Sequence, residues 1–260
     1  MFESAEAASF DCAKRSTSVE NLICYDDELG ELDVKLSKIY RDIRNALPKH
    51  EAESFVSTQR DWLKVRNGLC TSVYSCMGSY SRRYIELKQI LDRVLLKESI
   101  INAKTNDEVD YPLFYNYASK FFLDEKSSFF REKKPKHMIL EVLPVITQLP
   151  EEIDKQDSIV IISSCRIHSC DEKSGMLIDL DTMESMAFVL HYIDEYGELS
   201  FSKFENERFS MDGIITFIYK DEAFLNKNRE KALDYIKSKI EYNLRELTVK
   251  ERLIKSKEYI

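Results

Sequence analysis

Six cysteines in two groups constrain this chain more than any other feature. Cys12, Cys24, Cys70 and Cys76 fall in the first hundred residues, and Cys165 and Cys170 stand together much later. An even number with this local grouping is the pattern of a disulfide framework in an oxidising compartment; a reducing one has little use for it. If pairing respects the groups, three arrangements remain, all containing Cys165–Cys170. The favoured one joins Cys12 to Cys76 and Cys24 to Cys70. Cys70 and Cys76 are six apart on an expected helix, nearly two turns, which is too far to bond along it. Two rival uses are six free thiols in a cytosolic protein and a zinc site built from Cys165, His168 and Cys170. The zinc reading lacks a second Cys/His pair nearby to complete a tetrahedron.

The chain has 260 residues, enough for two modest domains or one large one, and its 43% hydrophobic content supports a real core. The net charge of -8 is unevenly placed. Residues 1–100 carry 15 Lys/Arg against 16 Asp/Glu, whereas residues 101–260 carry 23 against 30. A net-acidic second part steers toward basic partners and away from nucleic acid and anionic membranes. No apolar run approaches the ~18–20 residues of a membrane helix. The start, from Met1 to Ser9, has neither a basic segment nor an apolar one. That suits a cytosolic protein or a mature secreted chain with an added Met, and the cysteines favour the second. The chain contains no Gly-rich phosphate loop, His-Glu-x-x-His helix or Gly-x-Ser-x-Gly elbow. The expectation is a binding protein without a cofactor or metal, not an enzyme.

Residues 1–100 read as a helical module. Ser18 is placed to cap a first helix. Leu32, Leu36, Ile39, Tyr40, Ile43 and Leu47 then form a stripe with spacings of three and four, stopped by Pro48. Phe55, Gln59, Trp62, Leu63 and Arg66 share one face of a second long helix. A third stripe runs from Cys76 and Tyr80 through Leu87 to Leu95. On periodicity alone this is a three- to four-helix bundle with cross-links. Trp62 and Tyr80 are expected in the core, and Arg66 and Arg83 are expected to pair with Glu20 or Asp33.

The residues carry more than periodicity. Phe10-Asp11-Cys12, Glu20, Ile23-Cys24, Leu29, Leu32-Asp33 and Tyr40 are followed by Gln59, Trp62, Arg66 and Cys70, then by Cys76, Tyr80, Arg83 and Leu87. Over residues 10–88 this resembles the N-terminal domain of the LprI lysozyme-inhibitor family. That family's pattern is four cysteines with a Gln-x-x-Trp-x-x-x-Arg helix and a Cys-x3-Tyr-x-x-Arg-x3-Leu helix. The resemblance implies a disulfide-bonded helical module of the cell envelope or periplasm.

Residues 101–155 read as a connector: a polar stretch from Asn102 to Asp110, an aromatic-rich segment from Tyr111 to Phe122, and a basic turn from Arg131 to Lys136. Pro144 argues against a long regular helix from Met138 to Leu149. Residues 156–260 read as an α+β domain. Strands are expected at 158–162, 176–180, 186–190 and 214–219, with a hint of another around Phe201 and Phe204. A C-terminal helix starts near Asp221 and runs on past Leu244. Strands followed by a helix imply an antiparallel sheet. The fold class is therefore α+β, with a disulfide-bonded helical bundle leading an antiparallel-sheet domain.

Between the first two strands stands Cys165-Arg166-Ile167-His168-Ser169-Cys170. A Cys165–Cys170 bridge would enclose only four residues and hold them in one shape, which lowers the entropy lost on binding. A His at the tip offers two ring nitrogens to a partner's carboxylates, the groups that glycoside hydrolases hold in their clefts. Strand, Cys-x-x-His-x-Cys, strand also resembles the Ivy (inhibitor of vertebrate lysozyme) family. There a disulfide-closed loop inserts its His into the lysozyme active site. By that resemblance His168 is the key, Arg166 and Ser169 flank it, and Asp171 meets the rim. The implied partner is a lysozyme-like peptidoglycan hydrolase. The alternatives are an immunity protein for one cognate secreted toxin, and an envelope interaction module with no hydrolase target. A catalytic triad of His168 with Ser169 and Asp171 is disfavoured, because adjacent residues in a tight ring rarely reach triad geometry.

Overall fold

Thr17, Asp26 and Pro48 set where the first three helices begin in the computed structural model, which describes residues 8–130, 135–193, 212–240 and 247–255. Thr17, not Ser18, caps α1 (Ser18–Tyr25), and Glu20 reaches back to complete a capping box. The carboxylate of Asp26 accepts from the Leu29 amide at 2.9 Å and starts α2 (Asp27–Ala46). Pro48 precedes α3 (Lys49–Leu69), and α4 (Val73–Asn102) follows a short turn. Ile23, Leu29, Leu36, Ile43, Tyr80 and Leu87 interlock at the centre of this bundle. Two compact units divide the chain, Met1–Leu95 and Leu96–Ile260, so the boundary falls inside α4.

The disulfides of the first unit are Cys12–Cys24 and Cys70–Cys76. This overturns the expected Cys12–Cys76 and Cys24–Cys70 arrangement. The error lies in treating Cys70 as helical. Cys70 is the C-cap of α3 and the chain turns before α4 starts at Val73, which brings the Cα atoms of Cys70 and Cys76 to 4.5 Å. Cys12 lies just ahead of α1, and Cys24 on its last turn is 5.8 Å away, Cα to Cα. Both bridges are therefore local staples on helix ends.

The arginines also pair differently from expectation. Arg66 donates to the Tyr80 hydroxyl at 2.8 Å, and that hydroxyl donates to Asp33 at 3.0 Å, so the guanidinium reaches the carboxylate only through the phenol. Burial and the neighbouring Asp33 charge push the Tyr80 hydroxyl's pKa far above the usual range. Arg83 grips the Gln59 side-chain carbonyl with two N–H groups, at 3.0 and 2.9 Å, and pairs with Glu86. Glu20 is occupied by its capping role. Trp62 stands edge-on to Tyr80 at 5.3 Å with Arg66 and Arg83 over its ring; it is half-buried, while Tyr80 is fully buried.

In the second unit the stretch expected as a connector carries real elements: α5 (Tyr111–Phe122), a two-residue pairing of β1 (Lys126–Ser127) with β2 (Lys136–His137), and α6 (Met138–Gln148). Asp110 caps α5 and Pro112 sits in its first turn, where a missing N–H is harmless. Residues 131–134 of the basic turn lie outside the described residues. Pro144 sits inside α6, against expectation. Losing one backbone hydrogen bond there is offset by burying Met138, Val142, Leu143, Val145 and Ile146 against the sheet.

Among the described residues the sheet has six strands in sequence order: β3 (Asp154–Gln156), β4 (Ile159–Arg166), β5 (Ser169–Asp179), β6 (Ser185–His191), β7 (Gly213–Tyr219) and β8 (Leu247–Leu253). Every neighbouring pair is antiparallel except β7 with β8, which run parallel because α7 (Glu222–Ser238) crosses over between them. Val160, Ile162, Ile178 and Val189 face α5 and α6, while Ile161, Leu177, Phe188 and Phe217 face α7. Helices on both faces explain why these strands read as continuous apolar runs and not as alternating ones. The fold class is α+β, as expected, with the sheet between two helical layers. Phe201 and Phe204 lie outside the described residues. The expected helix past Leu244 is not continued: α7 ends at Ser238, and from Leu247 the chain is strand. Among the described residues, no helix is long and apolar enough to cross a membrane.

Candidate functional site

The β4–β5 hairpin carries the candidate loop. Its turn is the pair Ile167-His168, flanked by the Arg166–Ser169 backbone pairing. His168 has φ 65°, in the left-handed region, and Ile167 does not. One positive φ at the second central position is the pattern of a type II turn, and His tolerates it better than a β-branched residue. His168 is exposed, and Ile167 beside it is 39% exposed despite its apolar side chain.

Behind the tip, the pairing jumps from Arg166–Ser169 to Cys165–Lys173, so Cys170, Asp171 and Glu172 form a bulge with no opposing residues. Cys165 and Cys170 are bonded across it, with Cα atoms 4.6 Å apart. Cys165 is buried and Cys170 exposed. The bridge consumes both sulfurs, which removes them as zinc ligands. The Arg166 guanidinium pairs with the buried Glu172 carboxylate and lies 5.7 Å from the Phe130 ring centroid. From α6, the Gln148 side-chain carbonyl accepts the Ile167 amide at 3.0 Å. Three independent ties therefore hold a two-residue tip: a disulfide, an ion pair and a side chain from a neighbouring helix.

A polar layer underlies the loop on the α7 side. Lys173 pairs with Glu151 at 3.2 Å, and Ser163 shares a 2.7 Å hydrogen bond with Tyr235. Burial pushes the Tyr235 hydroxyl up to about 12. Burial, with the Asp171 and Glu172 charges beside it, raises Tyr192 further, and its hydroxyl donates to the Asp171 carbonyl at 3.4 Å.

The residues singled out in the sequence thus fall in distinct places. His168 is at the tip. Arg166 is drawn inward to Glu172, Ser169 closes the turn and is half-buried, and Asp171 sits half-buried in the bulge. Sequence reasoning missed Ile167, Glu172, Gln148 and Phe130. An isoleucine inside a four-residue ring was a visible signal, since apolar side chains there have nowhere to hide. Gln148 and Phe130 come from distant segments and left none.

The whole is a disulfide-bonded protein of two units, a stapled helical bundle and a sheet domain that exposes a pre-formed loop. Residues 12–102 match the family described as Lysozyme inhibitor LprI, so the first module is an LprI-type domain. No curated protein and no solved structure matches the chain. With all six cysteines bridged, the family match points to a protein that works outside the cytoplasm.

Proposed function

We propose that this protein inhibits a lysozyme-type peptidoglycan hydrolase in the periplasm or cell envelope by inserting the His168 loop into the active-site cleft. The observation that carries this reading is the exposed, triply tied hairpin tip with His168 at its end, in a chain whose first module is LprI-type. The cleft of such a hydrolase holds a carboxyl pair around the scissile bond. A narrow turn can enter where a flat surface cannot, and an imidazole can bridge to carboxylates as a donor. Pre-formation matters because a loop already in its bound shape loses little entropy on docking.

The test is lysis of cell-wall substrate by a panel of lysozymes with increasing amounts of the protein. His168→Ala should weaken inhibition by tenfold or more, on the order of the 2 kcal/mol of an interface hot spot, with the melting temperature nearly unchanged. His168→Asn, which keeps the left-handed backbone comfortable, controls for a distorted turn. Equal inhibition by wild type and both variants would remove His168 from the mechanism. Replacing Cys165 and Cys170 together by serine should also weaken inhibition, through lost pre-ordering, while leaving the chemistry of the tip intact. Isothermal titration should show that loss as a less favourable binding entropy; an unchanged entropy would contradict it.

A further inference from the structure

The helical module carries a groove of about 410 Å³ that the His168 loop does not use. Its lining is selective. Most polar and aromatic positions of the LprI-type pattern, from Asp33 and Tyr40 on α2 through Gln59, Trp62 and Arg66 on α3 to Tyr80 on α4, border this one opening, whereas Asp11 and Arg83 do not line it. Residues serving the core alone would be spread around the bundle.

The deep layer is a closed polar network. Asp33, 6% exposed, accepts from the Tyr80 hydroxyl and from the Ser9 amide at 2.9 Å. Gln59, 7% exposed, accepts twice from Arg83. Higher up, the Glu20 carboxylate accepts from the amides of Ser16 and Thr17. The groove's own acids are therefore committed to neighbours within the module.

The rim is different. Arg44 on α2 and Arg60 on α3 are exposed, and among the described residues neither has an ion-pair partner. Arg44 merely lies over the Tyr40 ring, 5.7 Å from its centroid. The same lining includes Tyr40, Val56 and Leu63. Two guanidinium groups beside an apolar and aromatic wall favour an oxyanion, such as a carboxylate, on a compact body, and the volume falls in the range of small-ligand sites.

We propose that this groove binds a small carboxylate-bearing saccharide of the bacterial cell wall, with its carboxylate at the Arg44–Arg60 rim and its ring against Tyr40. The negative charge of the ligand follows from the groove alone. The choice of a carboxylate on a saccharide rests on the hydrolase-inhibitor reading, since such an inhibitor works where that polymer lies. Binding it would hold the inhibitor beside the wall that its target attacks.

The test uses the full chain at low salt, with binding followed by calorimetry and by amide chemical shifts. The probes are N-acetylmuramic acid, N-acetylglucosamine (a closely related sugar without the lactyl carboxylate) and an acidic dipeptide. The acid sugar should bind, the neutral sugar at least about tenfold more weakly, and the dipeptide more weakly than the acid sugar. Arg44→Gln with Arg60→Gln should cost about tenfold or more in affinity for the acid sugar while leaving hydrolase inhibition and melting temperature unchanged. No binding of N-acetylmuramic acid up to about 10 mM, far weaker than any useful site, would overturn the proposal. So would equal binding of the neutral sugar, equal or tighter binding of the dipeptide, or full affinity in the double variant. Failure of the inhibition assay with His168→Ala would leave this groove result standing, so the two readings fail separately.

Discussion

Gly175→Val will destabilise the second unit by more than about 3 kcal/mol, and Gly175→Ala by about 1–3 kcal/mol. Gly175 sits mid-strand in β5, opposite Ser163 on β4 and Phe188 on β6. A Cβ there would stand 2.6 Å from Phe188 Cε1 and 2.8 Å from Ser163 Cβ, and closer still to Phe188 Cζ. Neither neighbour can yield cheaply. The Phe188 ring is packed near Tyr235, with centroids 6.3 Å apart, and Ser163 Cβ is fixed to its own strand. The ring lies over bare glycine backbone because nothing larger fits. A valine would force β5 or β6 aside and disturb the strand that carries the bulge and Cys170. Thermal unfolding should show a fall of roughly 6–12 °C for valine. A valine variant within about 1 °C of wild type would contradict the packing described.

Acid will cost stability through His191. Its ring is buried among β6, β7 and the aromatic Phe129, with Nε2 3.0 Å from the Thr216 hydroxyl and ring centroids 5.1 Å apart. Burial is the main cause that brings its pKa down from 6.5 to about 4; a hydrogen bond from the ring to the Ile193 backbone opposes this, and the Lys250 cation adds to the lowering. The folded state therefore holds the neutral ring at pH values where the unfolded chain would already be protonated. The stabilisation is fully present above about pH 6.5 and is lost as pH falls through the window from 6.5 to about 4. The expected loss is roughly 3 kcal/mol, taking 1.36 kcal/mol per pKa unit. Denaturant titrations from pH 4 to 7 should give a steep slope for wild type and a flatter one for His191→Gln. Parallel slopes would show that another group governs the acid transition.

Much of this architecture was legible before any coordinates. The runs at 158–162 and 186–190 are too apolar for a surface segment, the first also rich in β-branched residues, and they form β4 and β6 between two helical layers. The cysteine spacing around His168 was equally plain, because a five-residue separation leaves few geometries. What stayed hidden depends on distant partners. β8 alternates Leu247 and Val249 with Thr248 and Lys250, a period-2 signal. Its partner is β7, reached through a whole helix, so the segment reads locally as more helix. α6 hid behind Pro144, whose cost only the buried face repays. The disulfide pairing failed on one misjudged boundary at Cys70. At the loop, the ties from Gln148 and Phe130 cross 19 and 36 positions of sequence, and no local pattern announces them.

The most direct measurement is the kinetic mode of inhibition on a soluble chito-oligosaccharide substrate, with the hydrolase at fixed concentration. A hairpin seated in the cleft excludes substrate, so the apparent KM should rise with inhibitor while kcat stays constant, and saturating oligosaccharide should release the enzyme. Inhibition that lowers kcat at unchanged KM, or a complex that persists with the cleft filled by sugar, would place the contact elsewhere and contradict insertion of His168.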